Sequence, residues 1–209
     1  MPTVLALYAA AVCQSALFAA CCWVLATVAG AHVTEVQLGT PPLLRVRRPN
    51  VVLRFGPVPL TASCDLLGRV EPVDDPRSWW RLPLARRLLV IAGPWLAAGA
   101  VAVACLGPAR AARSFVHAAP QLLWTLDLTA LVRRFVALAG AAPFAVTLGV
   151  VLAKATFVNL LPIATCAGGQ TIGEVRGRAP GPASLVAGML FMLWVAGRLA
   201  YAVVRVLVG

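Results

Sequence analysis

The sequence predicts an all-α membrane protein of about four transmembrane helices, with a small membrane-associated β-sheet between the first and the second, built as one domain over residues 1–209. Three observations carry this. The chain is 61% hydrophobic and 12% charged, with a mean hydropathy of +0.88, which is more apolar than a soluble domain. Four windows, 1–34, 88–109, 135–153 and 179–197, hold no Asp, Glu, Lys or Arg, and a hydrocarbon core of roughly 30 Å is crossed by about 20 helical residues. Between the first two windows the period changes: Leu44, Val46, Val52, Val58 and Leu60 alternate with other residues around Pro49, Asn50, Gly56 and Pro57, the pattern of short strands joined by turns.

The first helix is expected over about residues 3–30. No basic stretch precedes it and it is about twice as long as the apolar region of a signal peptide, so it reads as a retained span. Two or three strands follow in a β-hairpin region at about 33–66. Residues 68–81, with Pro72, Asp74, Asp75 and Pro76, form a polar connector, and the pair Trp79 and Trp80 suits an interfacial anchor before the second helix at about 86–107. The interval of about 110–138 contains Pro120, then Leu122, Leu123, Leu126 and Leu131 among Gln121, Asp127, Arg133 and Arg134, an amphipathic pattern expected to lie at the interface. A third helix is expected at about 139–162 and a fourth at about 182–207. Lys154 and Arg198 read as charges near helix ends that snorkel to the headgroups, Arg198 being also able to meet a partner's acidic group, while Glu35 and Glu174 read as solvated loop carboxylates.

The formal net charge of +11 comes from arginine, since Lys154 is the single lysine. The arginines gather where apolar windows end, which assigns them to orientation and lipid headgroups and not to nucleic acid. Nine lie between the first and second windows against four between the second and third. That bias places the first loop, 33–81, in the cytoplasm and both termini on the opposite side of a cell inner (cytoplasmic) membrane. Of the six cysteines, Cys13, Cys21, Cys22 and Cys105 fall inside apolar windows as small buried hydrophobes, and there is no CxxC pair to suggest a zinc ribbon or a thioredoxin-like site.

Two distant segments carry a recognisable pattern. The run Asn159-Leu160-Leu161-Pro162-Ile163-Ala164-Thr165-Cys166-Ala167-Gly168-Gly169-Gln170 resembles the NLLPxxxLDGGH segment of the site-2 proteases, the intramembrane zinc metalloproteases. The run Arg86-Arg87-Leu88-Leu89-Val90-Ile91-Ala92-Gly93-Pro94 resembles that family's second core helix, with its basic start and its AGP. Gly56-Pro57-Val58-Pro59-Leu60 stands in the place of the family's IPLGGYV-like strand, and Val33-Thr34-Glu35-Val36-Gln37-Leu38-Gly39 is similar to the segment that leads into its membrane-embedded β-hairpin. The order of the segments is the family's. Only about residues 108–140 are unmatched, an interval too short for the PDZ domain that many bacterial members hold there.

The resemblance implies the scaffold without the chemistry. A site-2 protease holds zinc with two histidines one helical turn apart in HExxH, uses the intervening glutamate as general base, and takes a third ligand from the aspartate of LDG. The family's spacing back from Gly39 sets HExxH on Phe18-Ala19-Ala20-Cys21-Cys22, so that Phe18 and Cys22 replace the histidines and Ala19 the glutamate. Ala167 replaces the aspartate, and Ala97 the asparagine of the AGPxxN helix. His32 and His117 lie outside both motifs. By the same analogy Cys22 and Cys166 are what remains to hold a metal, but a catalytic zinc takes about three protein ligands plus a water, and no base accompanies them. Asn159, Pro162, Gly168 and Gly169 read as breakers that end the third helix. The resemblance makes them peptide-binding candidates as well, because in active relatives this stretch helps to hold an unwound substrate.

The expected function is that of a catalytically inactive site-2 protease homologue, a pseudoprotease with no cofactor, whose partner in the lipid bilayer is another integral membrane protein or a transmembrane peptide. The alternative is an active intramembrane zinc metalloprotease, with zinc ligands in another register or supplied by a partner chain. A small transporter or channel subunit is disfavoured, because the windows hold almost no ionisable residue to line a polar path.

Overall fold

A computed structural model describes residues 2–121, 128–177 and 181–208. Its elements run α1 (Pro2–Ala29), β1 (Val33–Thr40), β2 (Leu44–Arg47), β3 (Val52–Phe55), β4 (Val58–Leu66), a single 3-10 turn at Trp79–Arg81, α2 (Leu84–Leu106), α3 (Pro108–Val116), α4 (Leu128–Ala141), α5 (Phe144–Leu160), α6 (Ala167–Val175) and α7 (Pro182–Val208). Among the described residues α1, α2 and α7 are long and apolar enough to cross a membrane, the make-up of a membrane protein. The fourth expected span, α5, has 17 residues, about 25 Å of helix at 1.5 Å per residue, at the short limit for a bilayer core. Two compact units are present, one of residues 11–98 and one of residues 1–10 together with 99–209.

In the first unit the inward face of α1 is a stripe of small residues. Ser15, Ala19, Cys22, Ala26 and Ala29 are all buried, and their spacing of alternately four and three residues keeps them on one side of a helix with 3.6 residues per turn. The helix ends on Gly30, whose positive φ of 87° allows the amide of Ala31 to bond back to Ala26 O at 2.8 Å. Arg86 of α2 then donates to Ala29 O at 3.1 Å, placing a cation on the negative end of α1.

The expected β-hairpin region is a four-stranded mixed sheet of order β2-β3-β1-β4. β2 and β3 form a hairpin, but β3 returns parallel to β1, and β4 lies antiparallel on the other side of β1. The alternation in the sequence locates strands and cannot assign neighbours, which is why two or three strands were expected and the parallel pairing was not. Gly39 and Gly56 make the crossing possible: a Cβ on Gly39 would lie 2.3 Å from Gly56 O, and one on Gly56 would lie 2.5 Å from Pro41 O. Glu35 is not a loop carboxylate. It sits in β1 and pairs with Arg54 of β3 at 2.9 Å. Trp79 is likewise not an interfacial anchor: it is 1% exposed, its amide bonds to Leu67 O at 2.8 Å, and the Arg69 guanidinium lies 5.3 Å from its ring. Trp80 alone is exposed, with Arg87 over it at 5.9 Å.

In the second unit, α5 lies against α3 and runs antiparallel to the end of α2. Gly149 of α5 faces Cys105 and Leu106 at the end of α2, and Gly99 of α2 faces Thr156. The turn after α5 lies beside the start of α7, where Thr165 and Ile163 meet Gly188, while α4, which precedes α5, packs Leu128 and Val132 on Ala202 near the end of α7. The tip of α1 joins this unit through Thr3, whose Oγ1 would lie 3.0 Å from a Cβ on Gly140 of α4.

The expected third helix at 139–162 is corrected to α5 alone. Pro143 stands at the N-cap of α5 with ψ 146°, so α4 stops at Ala141 and the uncharged window 135–153 is divided between two helices. The expected interfacial segment becomes α3 and α4, and residues 122–127, with Leu122, Leu123, Leu126 and Asp127 of its pattern, lie outside the described residues. Lys154 is not near a helix end. It is the eleventh residue of α5 and its ammonium donates to Gln121 Oε1.

Candidate functional site

The residues on which the resemblance sets HExxH lie in the first unit, Ala19 and Cys22 on the helix face that packs inward. Ala19 and Cys22 are 3% and 6% exposed. Phe18, half-buried, stacks on Trp95 of α2 with ring centroids 4.7 Å apart, a tilted aromatic pair that fills space with carbon and offers no lone pair. The approach of α1 to α2 depends on the glycine of the AGP run, because a Cβ on Gly93 would lie 2.4 Å from Leu25 Cδ1. Pro94 beside it is fully buried.

Cys22 has a partner that the sequence did not indicate. Its sulfur is hydrogen-bonded to the thiol of Cys64 in β4, itself 5% exposed. The strand lies along α1, since about two turns further back the Ser15 hydroxyl donates to Pro59 O of β4 at 2.6 Å. The bond to Cys22 and then burial raise the Cys64 thiol well above the ordinary thiol range, with only Arg69 acting against them. Such a thiol is neither a ready nucleophile nor a ready metal ligand, because both roles need the thiolate. A period-two signal for Cys64 was present: Cys64 and Leu66 are buried while Ser63 and Asp65 are exposed.

The second half of the pattern lies in the other unit, at the turn between α5 and α6. Leu161 and Pro162 end α5, and the chain re-enters a helix at Ala167 with Cys166 as its N-cap residue. Cys166 and Ala167 are 1% and 6% exposed, and burial raises the Cys166 thiol. Gly168 and Gly169 are pressed against backbone: a Cβ on Gly168 would lie 2.2 Å from Leu160 O, and one on Gly169 would lie 2.1 Å from Ile163 O. Asn159 directs its amide nitrogen to Ala155 O of its own helix at 2.9 Å. Of the peptide-binding candidates, Pro162 is the one whose side chain is exposed.

His32 lies between α1 and β1, where its amide bonds to Arg77 O at 3.2 Å, and His117 ends α3. Among the described residues no three His, Cys, Asp or Glu side chains come together in a way that could hold a metal ion. The models of known protein families and the curated proteins return no match to this chain. Phe18, Ala19, Cys22, Cys166 and Ala167 present a phenyl ring, methyl groups and buried thiols, none of which is a general base for a water.

Proposed function

We propose that the chain is a catalytically inactive site-2 protease homologue, a pseudoprotease of the inner (cytoplasmic) membrane that binds or supports another integral membrane protein. One observation carries the reading. The positions where the resemblance requires ligands and base are taken up by packing, with Phe18 on Trp95, Cys22 on Cys64, and Ala19 and Ala167 buried. A binding role has two supports. β2 leaves one edge of the sheet open, and Leu43 and Leu44 there are 75% and 57% exposed, the kind of edge to which a partner strand is added. Only 6% of the apolar window of α7 is buried, which leaves a helix face for lipid or for a partner's span.

The antiparallel course of α5 supports four crossings over three. Gly149, early in α5, faces Cys105 and Leu106 at the end of α2, and Thr156, late in α5, faces Gly99, so α5 runs back against the direction of α2. The arginine bias then puts 33–81 in the cytoplasm and both termini across the membrane.

Metal analysis tests the inactive reading. The purified chain is expected to hold no stoichiometric zinc and to leave a model transmembrane peptide uncut; about one zinc per chain would sink the proposal in favour of an active intramembrane zinc metalloprotease. For the binding role, a photo-cross-linking residue at Val46 of β2, used in native membranes, is expected to capture another membrane protein, and capture of lipid alone would count against it.

A further inference from the structure

We propose that the open edge of the sheet at β2 takes an extended segment of a partner protein in which acidic and apolar residues alternate. The inference deepens the binding role proposed for this edge and rests on it. β2 is the outermost strand of the order β2-β3-β1-β4, and its register on β3 runs Leu44 on Phe55, Arg45 on Arg54, Val46 on Leu53 and Arg47 on Val52. At the turn that joins the two strands the Arg48 amide donates to Val51 O at 2.9 Å. Bonded and non-bonded pairs alternate along an antiparallel ladder, so Val46 and Leu44 are the next residues to bond β3, and the N–H and C=O of Arg45 and Arg47 face the open edge. Those are the groups with which an added strand would pair.

The side chains say what that strand carries. Alternation puts Leu44 and Val46 on one face of β2 and Arg45 and Arg47 on the other. Across the sheet the charged face continues as a row: Asp65 of β4 is in register with Glu35 of β1, Glu35 pairs with Arg54 of β3 at 2.9 Å, and Arg54 stands directly opposite Arg45. The row therefore runs acid, acid, base, base and stops at the edge. Arg45 and Arg47 are exposed, and the ion pairs among the described residues do not use them. Like charges directly opposite destabilise a sheet and opposite charges stabilise it. The residue that suits the position beyond Arg45 is thus Asp or Glu, with a second one two positions along for Arg47. On the other face Leu44, 57% exposed, extends the apolar line begun by Phe55 and suits an apolar residue between the acids. A second copy of this chain is a poor occupant, because pairing β2 with β2 sets arginine against arginine. Anionic headgroups share the charge, but a phosphate brings acceptors only, and the carbonyls of Arg45 and Arg47 need donors.

Fluorescence anisotropy tests it, with the full chain in detergent and short labelled peptides that alternate Glu with Val or Gln with Val. The Glu peptide is expected to bind about five- to tenfold more tightly at low salt, the scale of two exposed cross-strand ion pairs, and to lose that preference at about 1 M salt. R45Q/R47Q should bring the two peptides to parity, and R45E/R47E should reverse the preference toward a peptide alternating Lys with Val. R176Q, at the end of α6 in the other unit, should leave the preference unchanged. Methylating the peptide amides that face β2 should abolish binding with every charge intact. Equal binding of the Glu and Gln peptides, or a preference that survives R45Q/R47Q, would overturn the proposal. So would binding that tolerates the methylated amides, or displacement of the Glu peptide by short-chain phosphatidylglycerol, which would mark a headgroup patch. The binding role itself fails separately, by capture of lipid alone at Val46; capture there of a protein segment with no acidic residue would overturn the acidic preference and leave that role intact.

Discussion

A thiol that donates to a second thiol, with both out of water, keeps its proton, and Cys64 is held in this way by Cys22 and by burial. Alkylation at mildly alkaline pH is therefore expected to leave Cys64 unmodified in the folded chain and to modify it once the chain is unfolded, as read by peptide mass spectrometry. C64A removes the partner of a buried sulfur and is expected to cost about 1 kcal/mol, which for a chain of this size lowers Tm by about 2–4 °C. No change in either measurement would show that the pair contributes nothing. Residues of this kind mark what could be read from the sequence and what could not. The placing of Phe18, Ala19, Cys22 and Ala167 at positions of ligands and base rests on the resemblance alone and stays a proposal. That Cys22 meets Cys64 was not legible, because the contact joins a helix residue to a strand residue 42 positions later in the chain, and neither period reports on the other. Trp79 and Glu35 were misread for the same reason: their surroundings, Gly68 and Leu67 for one and Arg54 for the other, are set by sheet pairing.

At the scale of elements, two glycine contacts of different hardness separate packing from backbone constraint. A methyl group on Gly93 meets Leu25 Cδ1, the far end of a flexible side chain, so G93A is expected to cost about 1–3 kcal/mol as α1 and α2 repack. A methyl group on Gly169 meets Ile163 O and C, backbone that cannot turn aside, so the α5–α6 turn would have to open. Thermal unfolding in detergent is expected to rank G169A well below G93A, and the reverse order would refute this account of the turn. The helices themselves were largely legible: α1, α2 and α7 begin and end within two residues of the expected bounds, because uncharged windows and the bilayer thickness fix them together. The third was not, since an absence of charge says nothing about a proline, and Pro143 ends one helix and starts the next inside an unbroken apolar run.

For the whole molecule, the number of crossings is the quantity most worth measuring. Reporter fusions at Ser63 and at the C-terminus are expected on opposite sides of the membrane if α5 crosses, and on the same side if only α1, α2 and α7 do. The division into units has a further consequence that concerns time. Residues 1–10 belong with residues 99–209, and Thr3 finds its place beside Gly140, which is made well over a hundred residues later. At about 5–20 residues per second, a ribosome needs on the order of ten seconds to supply that neighbour. The rest of α1, by contrast, packs on β4 and α2, which are made well before α4. Residues 1–10, though built before the rest of α1, are thus completed by neighbours made only with α4.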